Sequence, residues 1–321
     1  MTELHVCMAT DDNYARHCGV ALASIVANAA ADDHLRFHVL ADALSERSRA
    51  RLREVATVRG ASLEFVKVPP EVVEQLPLRD AYHLSRAAYY RLLIPELLAP
   101  LGLARVLYLD CDLVALSSLA PLFETDLGQH ELAMAIDEDS ETHGRRMGIT
   151  DRPYFNSGVI LFNCPRWREG RVGPTLLEFA REHPDSIQIA DQDVLNGALA
   201  AGRVRALERT YNVSERLYDD GRPGEWARGA SPAILHFVGP IKPWNFLTPS
   251  ASHRVYFRYL RLTPWEAEKV QTCLRVLPRA ARARTRSTAA WLGRESLSRL
   301  SPALYREARK RYLRWRGLPV S

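Results

Sequence analysis

The feature that most constrains the fold is the alternation of short apolar runs with helical stretches at the start of the chain. The first forty residues contain, in order, the apolar run LHVCMA, the polar run TDDNYA, the helical stretch CGVALASIVANAA and the alternating run LRFHVLA. A helix capped by Ser45 and reaching about Val58, followed by the strand ASLEFVKV, continues this order until Pro69 and Pro70. Such alternation predicts parallel strands joined by crossover helices, so we expect an α/β fold with helices on both faces of its sheet.

Later segments extend the same pattern. The run DEDSETHGRRMGITDRP is polar and contains glycines, so we expect a mobile surface loop that acts as a lid beside a strand end. The other predicted elements are a helix from about Leu84 that kinks or ends at Pro95, strands in RVLYLDCD, ELAMAID, YFNSGVILFNC and AILHFVG, a helix from Pro165 to about His183, and a short helix in ADQDVLNGALAAG that stops at Gly202.

Composition indicates a soluble globular protein with an unusual distribution of charge. Of the 321 residues, 47% are hydrophobic and 25% are charged, and the net charge is +5. Residues 269–321 hold fourteen of the 43 basic and two of the 38 acidic residues, so this tail is +12 and the rest is −7. The five cysteines form no CxxC pair, which favours a reducing compartment. No signal-length or membrane-length apolar run is present in the sequence, so we expect a cytoplasmic protein, at most peripheral to a membrane.

The tail has a recognisable helical pattern. In SPALYREARKRYLRWRG, Ser301 is suited to an N-cap and Pro302 to the first helical position. Apolar residues fall on one face at helical spacing and arginines fill the rest, as in a helix that lies on an anionic membrane surface. Two alternatives stay open: a basic helix packed on the body or on a partner subunit, and a nucleic-acid contact, although no nucleic-acid-binding module accompanies the charge.

Two aspartates end an apolar strand in RVLYLDCD. Residues two apart in an extended segment point to the same side, so Asp110 and Asp112 can direct both carboxylates at one divalent cation. The carboxyl end of a strand is also where α/β sheets bind ligands. The motif is short enough to occur by chance, and two unrelated polar residues at a strand end are the structural alternative.

His236 and Lys242 form a second candidate group in AILHFVGPIKPW. An imidazole at a strand end, followed by a Gly-Pro turn and a lysine, is suited to a metal-bound diphosphate, and imidazole shifts the preference from Mg²⁺ toward Mn²⁺. A hydrogen-bonded core histidine is the alternative interpretation.

Polar residues also follow the first strand and open the DQD segment. Asp11 and Asn13 can hydrogen-bond a base or ribose, and Tyr14 can stack on the base, whereas the alternative is a polar turn with a helix cap. For Asp191 and Gln192 the alternative is the N-cap and first turn of a helix.

The motifs ATDDNYA, AAYYRLLIPELL, RVLYLDCDLVALSSLAPLFETDLG, PYFNSGVILFNCPRWRE, DQDVLNG and HFVGPIKPW follow the order and spacing of the family 8 retaining glycosyltransferases. The chain resembles this family from residue 1 to about 245, and its character is most similar to the bacterial members that transfer galactose in lipooligosaccharide synthesis. The resemblance implies a single nucleotide-sugar-binding domain of the GT-A type with a mixed central sheet at 1–268, followed by a basic helical membrane-attachment tail at 269–321.

The resemblance also implies the ligands and the site. The donor is a UDP-sugar, the cofactor is Mn²⁺ with Mg²⁺ as the alternative, and the acceptor is a saccharide or glycolipid. Carried over to this sequence, the implied residues are Asp110, Asp112 and His236 for the metal, Ala9, Asp11, Asn13 and the Cys111 backbone for the nucleoside, Gly239 and Lys242 for the diphosphate, Arg91, Asp137, Asn156, Asp191 and Gln192 for the donor sugar, and His83 for the acceptor.

Retention of anomeric configuration ordinarily uses a carboxylate nucleophile, whereas the corresponding position here is the amide Gln192. We therefore favour a front-face substitution, in which Gln192 stabilises oxocarbenium charge and Asp191 orients the donor sugar. An attack by a nearby residue is the alternative.

The predicted function is transfer of galactose or glucose in lipopolysaccharide, lipooligosaccharide or other cell-envelope glycan synthesis, at the inner face of the cytoplasmic membrane and without nucleic acid. Two competing hypotheses are a phosphatase of the haloacid dehalogenase type and a non-catalytic sugar-nucleotide-binding protein. The phosphatase motif continues with Gly-Thr, whereas this one continues with Leu113 and Val114. The segment after Glu208 is shorter than in the similar enzymes, so the acceptor is not defined by the sequence.

Overall fold

The central sheet has the predicted mixed α/β character. A computed structural model of the chain describes residues 3–41, 43–69, 87–220, 231–238, 242–244 and 250–268. Alternating apolar residues and crossover helices put the first three strands in parallel, as the opening alternation predicts. The strands are β1 (Glu3–Ala9), β2 (His34–Leu40), β3 (Ser62–Val66), β4 (Arg105–Leu109), β5 (Leu113–Ala115), β6 (Leu132–Ile136), β7 (Phe155–Asn163), β8 (Val204–Leu207), β9 (Val213–Ser214) and β10 (Ile234–His236).

Seven of these strands form one sheet, in the order β3-β2-β1-β4-β7-β6-β8. Strand β7 is antiparallel to both of its neighbours, and the other pairs are parallel. The carboxyl ends of β1, β4 and β6 therefore meet the amino end of β7 at one edge. The three-stranded sheet β5-β10-β9 adjoins this edge, because β5 begins four residues after β4 ends.

Helices cover the sheet, and serine caps begin several of them. Ser45, Ser214 and Ser250 each accept a hydrogen bond from the backbone N–H three residues later, which satisfies a donor of the first turn. The helices are α1 (Ala15–Asn28), α2 (Glu46–Ala56), α3 (Ala87–Tyr90), α4 (Ile94–Leu97), α5 (Ala120–Phe123), α6 (Ser140–Arg146), α7 (Cys164–Glu169), α8 (Val172–Glu182), α9 (Ala190–Ala198), α10 (Glu215–Asp219) and α11 (Ala251–Leu260), with 3₁₀ turns at Thr57–Arg59, Arg91–Leu93, Ala99–Leu101, Arg209–Tyr211 and Glu266–Glu268.

The core lies on both faces of the large sheet. In β4, Leu107 and Leu109 join one apolar cluster with α1 and α11, while Val106 and Tyr108 join a second cluster with α7 and α8. Successive strand residues point to opposite faces, so a run that is apolar at every position requires cover on both sides.

Three expectations differ from the structure. The predicted lid loop contains α6, because its polar residues place Glu141 and Arg145 one turn apart as an ion pair. The predicted helix from Pro165 to His183 is two helices, because Arg171 between them adopts a left-handed conformation with φ 49°. The predicted helix ending at Pro95 consists, from residue 87 onward, of short α and 3₁₀ turns, with Pro95 in the first turn of α4.

Some expectations fall on other parts of the chain. The basic tail at 269–321, His83 and Gly239 lie outside the described residues. Within the described ranges, none of the helices is both long enough and apolar enough to traverse a bilayer.

Candidate functional site

The topology brings the acidic pair and the histidine together. Asp110 and Asp112 lie between β4 and β5, and the backbone N–H of Asp110 donates to the Gly158 carbonyl at 2.9 Å. His236 pairs in register with Leu113, and the Phe237 N–H donates to the Asp112 carbonyl at 2.9 Å. These backbone contacts fix the end of β10 against the Asp-Cys-Asp segment, so three potential metal ligands meet where the two sheets join.

Their donor atoms form a compact cluster. One ligand atom each from Asp110, Asp112 and His236 lies within 4.8 Å of the others, the only such group in the part of the chain that the structure describes. His236 Nε2 is 3.1 Å from Asp112 Oδ1 and 3.7 Å from Asp110 Oδ2. Two carboxylates and an imidazole are a suitable donor set for Mn²⁺ or Mg²⁺, with the nitrogen favouring Mn²⁺.

Gly158 makes this cluster possible. A Cβ at this position would lie 2.2 Å from His236 Cε1 and 2.9 Å from Asp110 Oδ2. Only a residue without a side chain allows β7 to approach the cluster so closely, and the backbone therefore forms one wall of the cluster.

Lys242 supplies positive charge to the same cluster. Its Nζ lies 2.7 Å from Asp112 Oδ2 and also donates to the Phe237 carbonyl. Burial raises the pKa of Asp112, but the charges of Lys242 and His236 outweigh burial and hold this pKa well below its usual range. Burial lowers the pKa of Lys242, but the Asp112 carboxylate outweighs it and the net pKa is raised. Asp112 is therefore an ionised carboxylate next to the Lys242 ammonium group.

The second oxygen of Asp110 connects the cluster to Arg91. Asp110 Oδ1 accepts from the Tyr108 hydroxyl at 2.6 Å and lies 2.9 Å from Arg91 Nη2. Arg91 also stacks over the Tyr108 ring at 4.6 Å and donates to the Ser157 carbonyl at 2.8 Å. Burial lowers the pKa of Arg91, but Asp110 and Asp191 outweigh it and raise the pKa, so this buried guanidinium stays charged.

Asp191 and Gln192 lie at the amino terminus of α9, and Asp191 is the second carboxylate that contacts Arg91. Asp191 Oδ2 lies 3.1 Å from Arg91 Nε. Burial raises the pKa of Asp191 to about 6, because the attraction of Arg91 only partly offsets burial and the repulsion of Asp110. Both residues also lie in the first turn of α9, as the structural alternative predicts.

A strained backbone precedes this pair and is held by Asp193. Ala190 has φ 35°, a conformation that a residue with a Cβ rarely adopts. Asp193 is fully buried and accepts from the backbone N–H groups of Gln188 and Ile189, each at 2.7 Å. Arg146 pairs with the same carboxylate at 2.5 Å and joins α6 to α9. The side chain of Asp193 thus stabilises the turn that presents Asp191 and Gln192.

The site also contains a group of hydrogen-bonded polar side chains, which are Asp137, Asn156 and Gln192. Asp137 Oδ2 accepts from Asn156 Nδ2 at 3.2 Å and from Gln192 Nε2 at 3.3 Å. Gln192 Oε1 accepts from the Ser157 N–H at 3.2 Å. The predicted donor-sugar residues, including Arg91 and Asp191, are thus one contiguous hydrogen-bonded group.

The predicted nucleoside residues lie at the same edge. Cys111 donates its thiol to the Ala9 carbonyl at 3.1 Å and is buried, so its side chain faces the core. Asp11 Oδ1 accepts from the Tyr14 N–H at 2.9 Å, the turn interaction of the structural alternative, and Asn13 is exposed. The Tyr14 ring is 40% exposed and contacts the Trp244 ring edge-on, with centroids 6.1 Å apart.

Several residues of the site have no local sequence signal. Tyr108 and Ser157 orient the predicted groups, as does Asp193 of the DQD segment, and Asn212 hydrogen-bonds both His236 and Asn156. Asn212 lies in an unremarkable polar segment, and only the pairing of β9 with β10 brings it to the site.

A mixed α/β sheet with a carboxylate pair, a histidine and a lysine at one edge is the arrangement expected of a domain of the GT-A type. The sequence model of glycosyl transferase family 8 matches residues 5–248, and the chain belongs to this family. The predicted membership and fold class are both confirmed.

Solved structures and curated proteins agree with this assignment. The galactosyltransferase LgtC, crystallised with donor and acceptor sugar analogs, is 31% identical with a TM-score of 0.72, covering 82% of this chain and 99% of its own. General stress protein A of Bacillus subtilis is 29% identical over 273 residues, 82% of this chain and 94% of that protein. The lipopolysaccharide 1,2-glucosyltransferase of Escherichia coli K12 is 26% identical over 274 residues, 82% of this chain and 79% of its own.

Proposed function

We propose that this family 8 glycosyltransferase is a retaining hexosyltransferase that moves galactose or glucose from a UDP-sugar to a saccharide or glycolipid acceptor in cell-envelope glycan synthesis. Mn²⁺ is the proposed cofactor and Mg²⁺ its substitute. One observation carries the proposal: Asp110, Asp112 and His236 form a compact, partly buried cluster of potential ligands beside Lys242, and Arg91 joins this cluster to the predicted donor-sugar residues.

The residues of the cluster fit a divalent cation. Two carboxylates and an imidazole offer three donor atoms, and the missing side chain at Gly158 leaves the backbone against them. When bound, the cation supplies electrostatic neutralisation of the negative charge that develops on the departing diphosphate. Lys242 adds a second fixed positive charge at the same place, in a partly buried position next to Asp112.

The donor sugar would lie between Arg91, Asp137 and Gln192. The Gln192 amide is held by Ser157 and Asp137, so its oxygen is a preorganised dipole rather than a nucleophile. Asp191 Oδ2 lies 3.1 Å from Arg91 Nε, and this ion pair holds the carboxylate beside the guanidinium. These contacts support a front-face substitution, in which Gln192 stabilises positive charge on the sugar and the leaving phosphate receives the acceptor proton.

The similar proteins support the sugar class and the acceptor class. LgtC is described as a galactosyltransferase, and the Escherichia coli relative as a lipopolysaccharide glucosyltransferase. We therefore propose galactose and glucose as the two candidate sugars, and a lipopolysaccharide or lipooligosaccharide precursor as the acceptor.

A donor screen tests the proposal. The full-length chain is incubated with UDP-galactose, UDP-glucose and other UDP-sugars, with and without Mn²⁺, and UDP release is measured before the product linkage is determined. We expect release from one hexose donor that requires Mn²⁺ and is abolished in Asp110→Asn. Asp126→Asn, at an exposed turn, is the matched control and keeps activity.

Other outcomes of the screen would contradict the proposal. Hydrolysis of simple phosphate esters without use of a UDP-sugar would indicate the phosphatase alternative. Binding of UDP-sugars without turnover on any saccharide acceptor would indicate a binding protein.

The tail defines the proposed location. We propose that residues 1–268 are the catalytic domain and that the basic segment 269–321 attaches it to the anionic inner face of the cytoplasmic membrane, where glycolipid acceptors are found. This segment has a net charge of +12 and the rest of the chain has −7, which supports the division into a catalytic domain and a membrane-attachment segment.

A further inference from the structure

A chain of hydrogen bonds with a fixed direction runs from the donor-sugar residues to the metal cluster. It starts at the backbone N–H of Gly158, which can only donate and which lies 3.0 Å from Asn156 Oδ1. The other end of the same amide, Asn156 Nδ2, lies 3.2 Å from Asp137 Oδ2. A backbone donor on one side and a carboxylate on the other leave the Asn156 amide a single orientation, with its oxygen as acceptor.

The Asn156 orientation determines that of Asn212. The side-chain nitrogen of Asn212 lies 2.8 Å from Asn156 Oδ1, so Asn212 Nδ2 is the donor of this contact. Asn212 Oδ1 therefore faces His236 Nδ1, at 2.9 Å. An amide oxygen only accepts, so the proton of this hydrogen bond belongs to His236 Nδ1.

The nitrogen that faces the metal cluster follows from this chain. The contact of Nδ1 with Asn212 leaves Nε2 on the side of the carboxylates, where it donates to Asp112 Oδ1 at 3.1 Å and lies 3.7 Å from Asp110 Oδ2, and its lone pair becomes available to a cation that takes the place of that proton. His236 is buried, with 3% of its surface exposed, so no exposed solvent partner competes for Nδ1.

We propose that Asn212 is a positioning residue that holds His236 with Nε2 toward the cation and, through Asn156, links cation binding to the donor-sugar residues. The inference rests on the proposed function, because it assumes that the Asp110, Asp112 and His236 cluster binds Mn²⁺. A hydrogen-bond partner on the second nitrogen of a metal-binding histidine fixes the ring and its tautomer, and removing such a partner weakens metal affinity by about 10- to 100-fold.

The backbone around Asn212 does not depend on its side chain. The Asn212 N–H donates to the Arg209 carbonyl at 2.9 Å, and the next two residues pair with Leu235 and His236 in the β9–β10 ladder. Substitution of the side chain therefore leaves the local backbone hydrogen bonds in place, and metal affinity can be measured on folded protein.

Two substitutions separate the two contacts. Asn212→Ala removes both, and we expect Mn²⁺ affinity to fall by about 10- to 100-fold. Asn212→Asp keeps an acceptor for His236 but places an oxygen against Asn156 Oδ1, so we expect Mn²⁺ affinity within about 3-fold of the wild type and a weaker preference for UDP-sugar over UDP. Asn28→Ala removes a partly buried asparagine that contacts Tyr259 and Ala115 in the α1 region, and serves as the control that keeps Mn²⁺ affinity.

The measurement is Mn²⁺ binding to the full-length chain in the presence of UDP, followed by electron paramagnetic resonance. Pulsed spectra report a histidine nitrogen bound to Mn²⁺, and we expect this signal in the wild type and in Asn212→Asp but weakened in Asn212→Ala. In a His236→Gln background, Asn212→Ala should cause no further loss of affinity, because Asn212 acts through His236.

The possible results are distinguishable. No Mn²⁺ binding by the wild type contradicts the cation assignment of the proposed function, and this inference with it. Mn²⁺ binding by the wild type with an equal affinity in Asn212→Ala, or additive losses in the double variant, overturns only the role of Asn212. If Asn212→Ala does not fold, as judged by thermal unfolding, a loss of affinity or of the nitrogen signal in Asn212→Asp overturns it.

Discussion

Replacing Gly158 by alanine adds one methyl group to the wall of the proposed cation site. The new Cβ would lie 2.2 Å from His236 Cε1, whereas carbon atoms in contact are ordinarily about 3.5 Å apart. The ring must therefore move by about 1 Å, away from a position fixed by Asn212 and Asp112. A misplacement of about 1 Å in a catalytic group costs about 100-fold in rate, and overpacking costs about 1–3 kcal/mol of stability.

The assay compares Gly158→Ala with Gly19→Ala. A Cβ at Gly19 would lie 2.6 Å from Trp265 Cζ3, in the contact between α1 and the 3₁₀ turn region, so this control carries a similar steric overlap elsewhere. We expect both variants to lose stability in urea, and only Gly158→Ala to lose Mn²⁺-dependent UDP release by about 100-fold. Wild-type release by folded Gly158→Ala would refute the role of Gly158 as a wall of the cation site.

Three further predictions concern stability, the α9 turn and the tail. Burial and the neighbouring His5 lower the pKa of His38 from 6.5 to about 4. As the pH falls, the unfolded chain therefore takes up a proton on His38 at a higher pH than the folded chain does. The free energy of unfolding should fall by up to about 3 kcal/mol between pH 6.5 and pH 4. Denaturant titrations across this range check it, and an unchanged slope in His38→Gln would contradict it. Asp193→Asn should lower the free energy of unfolding by about 3 kcal/mol, because Arg146 loses its buried counter-ion. It should also reduce turnover, because Asp193 stabilises the turn that presents Asp191 and Gln192. Urea denaturation and a rate assay measure the two effects, and wild-type values in both would contradict the prediction. Truncation after Glu268 should release the protein from anionic vesicles in a sedimentation assay and keep activity on soluble acceptors, whereas undiminished vesicle binding would contradict the attachment proposal.

The central sheet could be predicted from sequence because its signals are local. Apolar runs such as RVLYL and the helical stretch after TDDNYA each define their own element, and the alternation of elements predicts the parallel strands of the sheet, whereas the antiparallel β7 is expected only from the family resemblance. The placement of Asp110 and Asp112 at a strand end follows from the same local pattern.

The parts that could not be predicted depend on distant contacts. Asn212 reaches His236 only because β9 and β10 pair. Asp193 forms its ion pair with Arg146, which lies on α6, and the polar sequence of α6 predicts a loop. The helix break at Arg171 is different, because it has a local signal: Gly170 precedes it and Gly173 and Pro174 follow it, and the prediction of one helix overlooks these residues. The family resemblance predicts the ligand-binding positions but not the side chains that orient them.

A crystal soaked with Mn²⁺ and UDP tests the central claim most directly. Anomalous scattering locates the manganese without reference to the chemistry of the site. The account predicts one peak within bonding distance of the Asp110 and Asp112 carboxylates and of His236 Nε2, next to the diphosphate of UDP. A manganese peak away from these three side chains, or UDP bound at this edge of the sheet with no manganese peak, would contradict it.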